Sequence, residues 1–295
     1  MISSTKKAYA GLLFAVVAVS FAALFVRLTS APPSVTAMYR MLLSAVVLFP
    51  LVRKTFFTQL FRLALRERLL ILVSGISLGV HFIFWMTSVF TTSIASATLL
   101  LAFQPVFAML LEWIFFHKKI APRLWLYVFI ALIGTAVIGW HDLISGHQAI
   151  LGDALSLVSA FAAACYMVTG SGVRRHFEAT AYNVSVFFVA GVFLFLYSFV
   201  LHDAFWGYST LNWVMTLFLV LVPTLLGHAV FNTLLKYLPA STISMSIIGE
   251  PIVASLLAYL FLHQNLSFVW FIGASILLIA IGLFVHDGYR TSKSA

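Results

Sequence analysis

Four polar side chains that could exchange a proton or hold a polar ligand lie near the centres of long apolar stretches: His81, Gln104, His228 and Glu250. Such side chains are costly to bury in a membrane unless they face a cavity or a partner, so they are candidate functional residues. Glu250 is the leading candidate, because its carboxylate could exchange a proton or hold the ammonium of a ligand. The alternative is a protonated Glu250 bonded to backbone that Pro251 leaves unpaired.

Both histidines belong to polar stripes at helical spacing. His228 follows Thr224 by four residues and precedes Asn232 by four, and His81 shares a second stripe with Trp85. A polar stripe on a helix in a membrane faces protein or water rather than lipid. Each histidine could therefore line a cavity or make an interhelical hydrogen bond. We expect neither a metal nor a cofactor, since no ligands recur at chelating spacing.

Three further side chains, Trp85, Tyr166 and Arg40, are candidate binding residues that have other possible roles. Trp85 could stack on a ligand ring or cover an ammonium, or it could belong to the outer aromatic belt. Tyr166 is a weaker cavity candidate. Arg40 could bind a ligand carboxylate, pair with Asp142 or Asp153, or extend outward to the membrane surface. The candidate binding residues are therefore His81, Trp85, Gln104, His228, Asn232, Glu250, Tyr166 and Arg40.

The composition identifies lipid as the solvent of these residues. The chain of 295 residues is 63% hydrophobic and only 8% charged, whereas about a quarter of a soluble domain is charged. The net charge of +9 would suggest nucleic acid in a soluble protein, but basic residues of membrane proteins collect in cytoplasmic loops. The single cysteine, Cys165, excludes an intramolecular disulfide and is interpreted as a small core residue.

Ten apolar segments are each close to the roughly 20 residues that span a bilayer as a helix. They are 8–29, 34–52, 69–90, 95–116, 123–140, 152–172, 181–201, 213–235, 241–262 and 268–286. The sequence thus predicts an all-α polytopic membrane protein with ten transmembrane helices.

The basic residues predict how these helices are oriented. With the N-terminus in the cytoplasm, fifteen of the 17 lysines and arginines fall in cytoplasmic segments and none in outer loops. The other two, Arg27 and Arg40, lie within segments. This asymmetry predicts cytoplasmic N- and C-termini and an even number of helices. The basic stretch 53–68 has helical apolar spacing, which indicates a short helix on the inner leaflet.

An internal repeat divides the chain in two. At an offset of 146 residues, Pro105 matches Pro251, His117 matches His263 and Gln104 matches Glu250. Since each half has an odd number of helices, the second copy must enter the membrane inverted. The predicted repeats are 1–145 and 146–295. Inverted repeats are typical of secondary transporters, which bind substrate near the membrane midplane between the halves.

The chain resembles the drug/metabolite transporter superfamily, in its ten-helix EamA-like branch, over essentially its whole length. The resemblance rests on the five-helix duplication and on three stretches: FVRLTSAPPSVTAMYRMLLSAVVLFP (25–50), TTSIASATLLLAFQPVFAMLLEWIFF (91–116) and LPASTISMSIIGEPIVASLLAYLFL (238–262). One departure concerns the ends of the fourth and ninth helices. The family often has Gly-Glu there, and this chain has His117-Lys118 and His263-Gln264.

The resemblance implies a secondary transporter, with alternating access and export of small metabolites such as amino acids. A bacterial inner membrane is the expected location. The expected partners are a small-molecule substrate and the lipid bilayer, without nucleic acid, and the expected state is a monomer. An importer or a nucleotide-sugar carrier is the runner-up, although a nucleotide sugar should require more basic residues than Arg27 and Arg40.

Two classes outside transport stay open on the residues alone. An intramembrane enzyme acting on lipid-linked substrates would need a catalytic pair, which only His81, His228 and Glu250 could supply. A receptor or accessory subunit would bind a ligand without flux. The sequence has no His-Glu-x-x-His motif and no Walker loop, so we expect neither a zinc hydrolase nor an ATP-driven pump.

Overall fold

The computed structural model describes residues 2–91, 97, 100–138, 150–262 and 266–291, and every regular element in these ranges is a helix. In chain order they are α1 (Ile2–Val19), α2 (Ala22–Arg27), α3 (Pro33–Val52), α4 (Phe56–Arg62), α5 (Leu65–Thr91), α6 (Gln104–Phe116), α7 (Pro122–Ile138), α8 (Ile150–Val173), α9 (Ala179–Val200), α10 (Thr210–Leu219), a π-helical segment (Val220–His228), α11 (Ala229–Leu234), α12 (Ala240–Ile247), α13 (Glu250–Leu262) and α14 (Phe268–Thr291).

Eight stretches of the described residues are long and apolar enough to cross a membrane: Lys7–Arg27, Pro33–Val52, Leu65–Thr91, Ile150–Val173, Ala179–Val200, Thr210–Leu234, Ala240–Phe261 and Phe268–Gly288. Two shorter apolar helices, α6 and α7, accompany them. The chain is therefore a multi-pass membrane protein whose described part is all helical. Part of the predicted fourth segment, together with Asp142, His263 and Gln264, lies outside the described residues.

Two prolines coincide with helix breaks at equivalent places. Helix α12 ends at Ile247, and α13 begins at Glu250, directly before Pro251. Helix α6 likewise begins at Gln104, directly before Pro105, after a short turn. A proline has no N–H to donate and its ring crowds the carbonyl four residues earlier, so an α-helix cannot continue unbroken through it. Each break leaves a helix N-terminus inside the protein.

The helix from Thr210 to Leu234 contains the π-helical segment, which includes Pro223. In a π-helical segment, backbone hydrogen bonds join residues five apart instead of the four of an α-helix. Such segments occur mostly as short stretches within α-helices. The Thr224 hydroxyl donates to the Leu219 carbonyl at 2.8 Å, again five residues back. At Gly227, the absence of a side chain lets α1 approach closely, since a Cβ there would collide with Val19.

Helices from the two halves of the sequence pack against each other in pairs. The pairs are α5 with α8, α1 with the π-helical segment, α3 with α9, α6 with α12, and α7 with α14. At the 146-residue offset the first two pairs exchange with each other, and the α3–α9 and α7–α14 pairs map onto themselves. The α7–α14 pair is close enough for backbone contact, because a Cβ at Gly134 would lie 2.8 Å from the Leu277 nitrogen.

The predicted short helix in the basic stretch is present as α4. Its Phe57 and Phe61 side chains are 57% and 68% exposed. Exposed aromatic rings among basic residues suit a helix that lies on a membrane surface.

Candidate functional site

A buried cavity gathers seven of the eight predicted binding residues: Arg40, His81, Trp85, Gln104, Tyr166, His228 and Glu250. The cavity volume in this structure is about 30 Å³, close to the volume that one water molecule occupies. Its apolar wall includes Phe82, Leu101, Met167, Phe231 and Ile247. The polar residues come from six separate helical segments, so the fold rather than local spacing brings them together.

The cavity has contributions from equivalent positions of both halves. Four pairs of lining residues are separated by the 146-residue offset: Phe82 and His228, Trp85 and Phe231, Leu101 and Ile247, and Gln104 and Glu250. The equivalent of His228 is therefore Phe82 rather than His81, and the rings of Phe82 and His228 meet edge to face at 5.2 Å. Phe82 and Phe231 are absent from the residues predicted from the sequence, although the offset relates them to the predicted His228 and Trp85.

Glu250 and Gln104 each occupy the first position of a helix that begins at the cavity. The N-terminus of a helix favours negative charge, because its first N–H groups lack partners in the helix. Gln104 Nε2 donates to Ser244 Oγ at 3.0 Å, which joins α6 to α12. The Glu250 carboxylate, in a residue only 7% exposed, has no hydrogen-bond partner among the described residues. The alternative of a bond to backbone freed by Pro251 is therefore wrong.

Arg40 is fully buried, so the expectation that it extends outward is wrong. Its position on α3 faces other helices rather than the membrane surface. Its Nε donates to Thr224 Oγ1 at 2.6 Å, and its guanidinium lies 4.2 Å from the centre of the Phe82 ring. Its Nη1 and Nη2 have no hydrogen-bond partner among the described residues. The predicted pair with Asp153 is thus not formed through these nitrogens, and Asp142 lies outside those residues. Arg27, by contrast, is exposed.

The two histidines differ in their bonding. His81 Nδ1 lies 2.8 Å from Ser159 Oγ, which gives His81 an interhelical hydrogen bond as well as a place on the cavity wall. His228 Nδ1 is buried without a hydrogen-bond partner among the described residues. The two ring centres are 6.4 Å apart. His228 therefore retains hydrogen-bonding capacity that His81 has already used at one nitrogen.

Trp85 lies inside the protein and not in an outer aromatic belt. Its side chain is 3% exposed and stacks beside His81 with an interplanar angle of 16°. Its Nε1 has no hydrogen-bond partner among the described residues. Because an indole N–H can only donate, a cavity ligand would satisfy it by offering an acceptor.

Asn232 is the predicted binding residue that does not line the cavity. Its Oδ1 accepts a short hydrogen bond from the Tyr166 hydroxyl, and its Nδ2 donates to Asn183 Oδ1 at 2.7 Å. The π-helical segment changes the rotation between Thr224 and His228 of the expected stripe, whereas Asn232 follows in the α-helical α11 and is directed to Tyr166 and Asn183. Asn232 holds Tyr166 in place from behind the cavity wall.

Arg174 supports this network from the end of α8. Its Nε donates to the Asn232 carbonyl at 2.8 Å. Burial lowers the pKa of the Arg174 guanidinium from its ordinary value by desolvation, and nearby Tyr182 and Glu178 partly oppose this effect. The network connects the cavity wall to the end of the bundle that carries basic residues.

Glu112 is a buried carboxylate that sequence analysis overlooked. Its carboxylate forms a salt bridge with Lys118 at 2.7 Å and accepts hydrogen bonds from Ser241. Glu112 does not line the cavity. The presence of a carboxylate within the apolar segment 95–116 was the sequence feature that could have identified Glu112 as a buried polar residue.

The cavity contains one acidic and one basic side chain that are not directly paired. Arg40 and Glu250 interact through space, but no ion pair within 4.0 Å joins them. Among the described residues, no group of three or more His, Cys, Asp or Glu side chains is placed to hold a metal ion. The arrangement can therefore bind polar or charged groups directly through side chains.

Comparisons with known proteins agree with this architecture. The sequence profile of the EamA-like transporter family matches residues 6–140 and again 150–286. The uncharacterized transporter YwfM of Bacillus subtilis (strain 168) is 22% identical over 234 residues, which cover 77% of this chain and 76% of that protein. A probable amino-acid metabolite efflux pump of Escherichia coli (strain K12) is 26% identical over 209 residues, 67% of this chain and 69% of that one. A solved crystal structure, 15% identical, superposes with a TM-score of 0.79 over 97% of this chain and 99% of its own.

Proposed function

Because this chain belongs to the EamA-like transporter family, we propose that it is a secondary active transporter that exports small metabolites, such as amino acids, by alternating access. The observation that carries this proposal is a buried cavity with polar residues from both halves of the chain. The family's members and the two relatives are transporters, which removes the intramembrane enzyme as an alternative.

The proposed architecture is ten transmembrane helices in two inverted five-helix repeats, 1–145 and 146–295. Eight candidate spans and two shorter apolar helices support this number. The family profile matches once in each half. The exchange of helix pairs at the 146-residue offset and the equivalent breaks before Pro105 and Pro251 also support two related halves.

Alternating access follows from this arrangement. Two similar halves packed in opposite senses have two nearly equivalent arrangements, and each one opens the shared site to one side of the membrane. The helix breaks at Gln104 and Glu250 lie at this site, so movement of α6 and α13 would change its access and its polar lining together.

The proposed binding residues are those that line the cavity: Arg40, His81, Trp85, Gln104, Tyr166, His228 and Glu250. Asn232 has the positioning role described above. Glu250 is the proposed proton-coupling residue, since its carboxylate has no hydrogen-bond partner among the described residues. The other charged or titratable groups that face the same cavity are Arg40, His81, Tyr166 and His228.

The substrate class rests on the cavity and on one relative. The Escherichia coli relative is named as a probable amino-acid metabolite efflux pump. In the described part of this chain, Arg40 is the one lysine or arginine that lines the cavity, which disfavours a nucleotide sugar with its two phosphates. An importer would use the same site, and the direction of net flux distinguishes it from an exporter.

The proposed location is the bacterial inner membrane, with both termini in the cytoplasm and a monomeric unit. A single-cysteine test can check the orientation after replacement of Cys165 by serine. Gln59→Cys, in α4, should resist a membrane-impermeant thiol reagent in intact cells, whereas Ala204→Cys should react. The opposite labelling pattern would invert the proposed topology.

Flux measurements test the transport proposal. Purified protein is reconstituted in liposomes loaded with radiolabelled amino acids, amines, bases or sugars, and efflux is compared with that from protein-free liposomes. The proposal expects saturable, protein-dependent flux of at least one amino acid. If correctly folded protein gave no saturable flux over the panel, and a ligand still stabilised it against heating, a receptor function would replace the transport function.

A further inference from the structure

We propose that the cavity selects zwitterions, with Arg40 binding the carboxylate and Glu250 binding the ammonium of an apolar α-amino acid. This inference rests on the proposed transport function and specifies its substrate class. It assigns a separate specificity role to each of two buried side chains.

Arg40 has the geometry of an incomplete carboxylate site. Its Nε is held by Thr224, and one face of its guanidinium is covered by Phe82. The remaining nitrogens, Nη1 and Nη2, have no hydrogen-bond partner among the described residues. A guanidinium presents parallel N–H groups that match the two oxygens of a carboxylate. Since the side chain is fully buried, leaving these donors unpaired is costly, and a bound carboxylate would remove that cost.

Glu250 is complementary to the other end of an amino acid. It is buried at the first position of α13, and its carboxylate has no hydrogen-bond partner among the described residues. An ammonium group has three N–H donors and a full positive charge. Within a water-poor cavity, an ion pair between the two groups is stronger than at a protein surface.

The absence of a direct Arg40–Glu250 ion pair is what indicates a zwitterion. An acidic and a basic side chain in one cavity could form an ion pair with each other, but Arg40 and Glu250 do not. An amine alone would leave Arg40 without a partner, and a monocarboxylate alone would leave Glu250 without one. A ligand that carries both charges can satisfy both residues at once.

The cavity must widen to admit an amino acid, because its volume in this structure is only about 30 Å³, and its remaining wall suits an apolar side chain. Phe82, Trp85, Leu101, Phe231 and Ile247 provide aromatic and aliphatic surface beside the charged residues. An apolar substituent placed there leaves contact with water and gains free energy in proportion to its buried area. Substrates with strongly charged side chains would meet no partner on this wall.

A matched series of three compounds tests the proposal on the unmodified protein. The compounds are L-leucine, 3-methylbutylamine, which lacks the carboxylate, and 4-methylpentanoate, which lacks the ammonium. Each competes with efflux of radiolabelled L-leucine from proteoliposomes. We expect the concentration that gives half-maximal inhibition to be at least about tenfold higher for the amine and for the acid than for L-leucine. Each of these two compounds leaves one of the buried side chains, Glu250 or Arg40, without a partner.

Two charge-removing variants then separate the two roles. Arg40→Gln should reduce the affinity for L-leucine at least about tenfold while leaving that for 3-methylbutylamine little changed. Glu250→Gln should likewise reduce the affinity for L-leucine at least about tenfold while leaving the affinity for 4-methylpentanoate little changed. Arg27→Gln removes an exposed arginine outside the cavity and serves as the matched control, with an affinity equal to that of the unmodified protein.

The outcomes distinguish this inference from the proposed function. Saturable flux of amines or acids with equal or better affinity than L-leucine would overturn zwitterion selection and leave a transporter. Absence of saturable flux for every compound would overturn the transport function itself. If either variant fails to fold, the three-compound series on the unmodified protein still decides the proposal.

Discussion

The Glu112 carboxylate accepts hydrogen bonds from both the backbone N–H and the hydroxyl of Ser241, at 3.2 and 2.8 Å. These bonds join α6 to the first turn of α12, where backbone N–H groups lack helical partners and favour a negative charge. At the 146-residue offset, Glu112 corresponds to Ala258, and Ser241 corresponds to Ala95. The residues at the offset positions therefore lack the side chains for an equivalent contact.

Replacing Glu112 should destabilise the protein. Glu112→Ala leaves the Ser241 donors unpaired, and we expect a loss of about 1–3 kcal/mol in the free energy of unfolding. Lys118→Ala is the matched control, because Lys118 bonds the same carboxylate but its side chain is 41% exposed. The control should cost at most about 1 kcal/mol. Denaturation in detergent measures both, and equal losses would show that the salt bridge, not Ser241, provides the stability.

Thr224 should act through Arg40. Thr224→Val keeps the shape of the side chain but removes the hydroxyl that accepts from Arg40 Nε. We expect a several-fold weaker affinity for L-leucine and a lower melting temperature, because the guanidinium loses a buried partner. Thr224→Ser restores the hydroxyl and should restore both properties. A Thr224→Val variant with normal affinity would show that Phe82 alone is enough to position Arg40.

The α7–α14 contact should be intolerant of small additions. A Cβ at Gly134 would lie 2.8 Å from the Leu277 nitrogen and 3.0 Å from the Gly273 oxygen. Since both neighbours are backbone atoms, Gly134→Ala must separate the helices, at a cost of about 1–3 kcal/mol or more. Gly282→Ala is the control, because a Cβ at Gly282 would meet no atom within 4 Å. Thermal unfolding should distinguish the two variants, and equal stability would contradict this packing.

The polar residues of the cavity lining were predictable from the sequence because their signals were local. Polar residues in apolar segments are few, and the 146-residue offset related Gln104 to Glu250. Both residues line the cavity. Apolar segment length likewise predicted helix positions to within a few residues. For example, the predicted 152–172 corresponds to α8, Ile150–Val173.

The residues whose positions were predicted wrongly or missed depend on contacts between helices, which the sequence of a single segment does not encode. Asn232 was misplaced because its amide bonds Tyr166 and Asn183, which are 66 and 49 residues away in the chain. The direction of the Arg40 side chain depends on which face of α3 packs against neighbouring helices. The general tendency of arginines to extend toward the membrane surface does not predict that face. Glu112 has one of its two bonding partners, Ser241, 129 residues away in the chain. These contacts exist only after the helices have packed.

Glu250 should couple export to protons if a proton and a substrate ammonium compete for its carboxylate. Protonation neutralises the carboxylate and removes its attraction for the ammonium, so a more acidic exterior should drive release on that side. In proteoliposomes loaded with L-leucine, an acidic outer buffer should therefore accelerate efflux relative to equal pH. Glu250→Gln, which cannot be deprotonated, should reduce the flux and abolish its response to the gradient while the protein still folds. Gln104→Glu places a second carboxylate at the equivalent position and tests whether the location or only the charge matters. Unchanged, pH-responsive flux in Glu250→Gln would assign Glu250 to structure and transfer the search for the coupling group to His228.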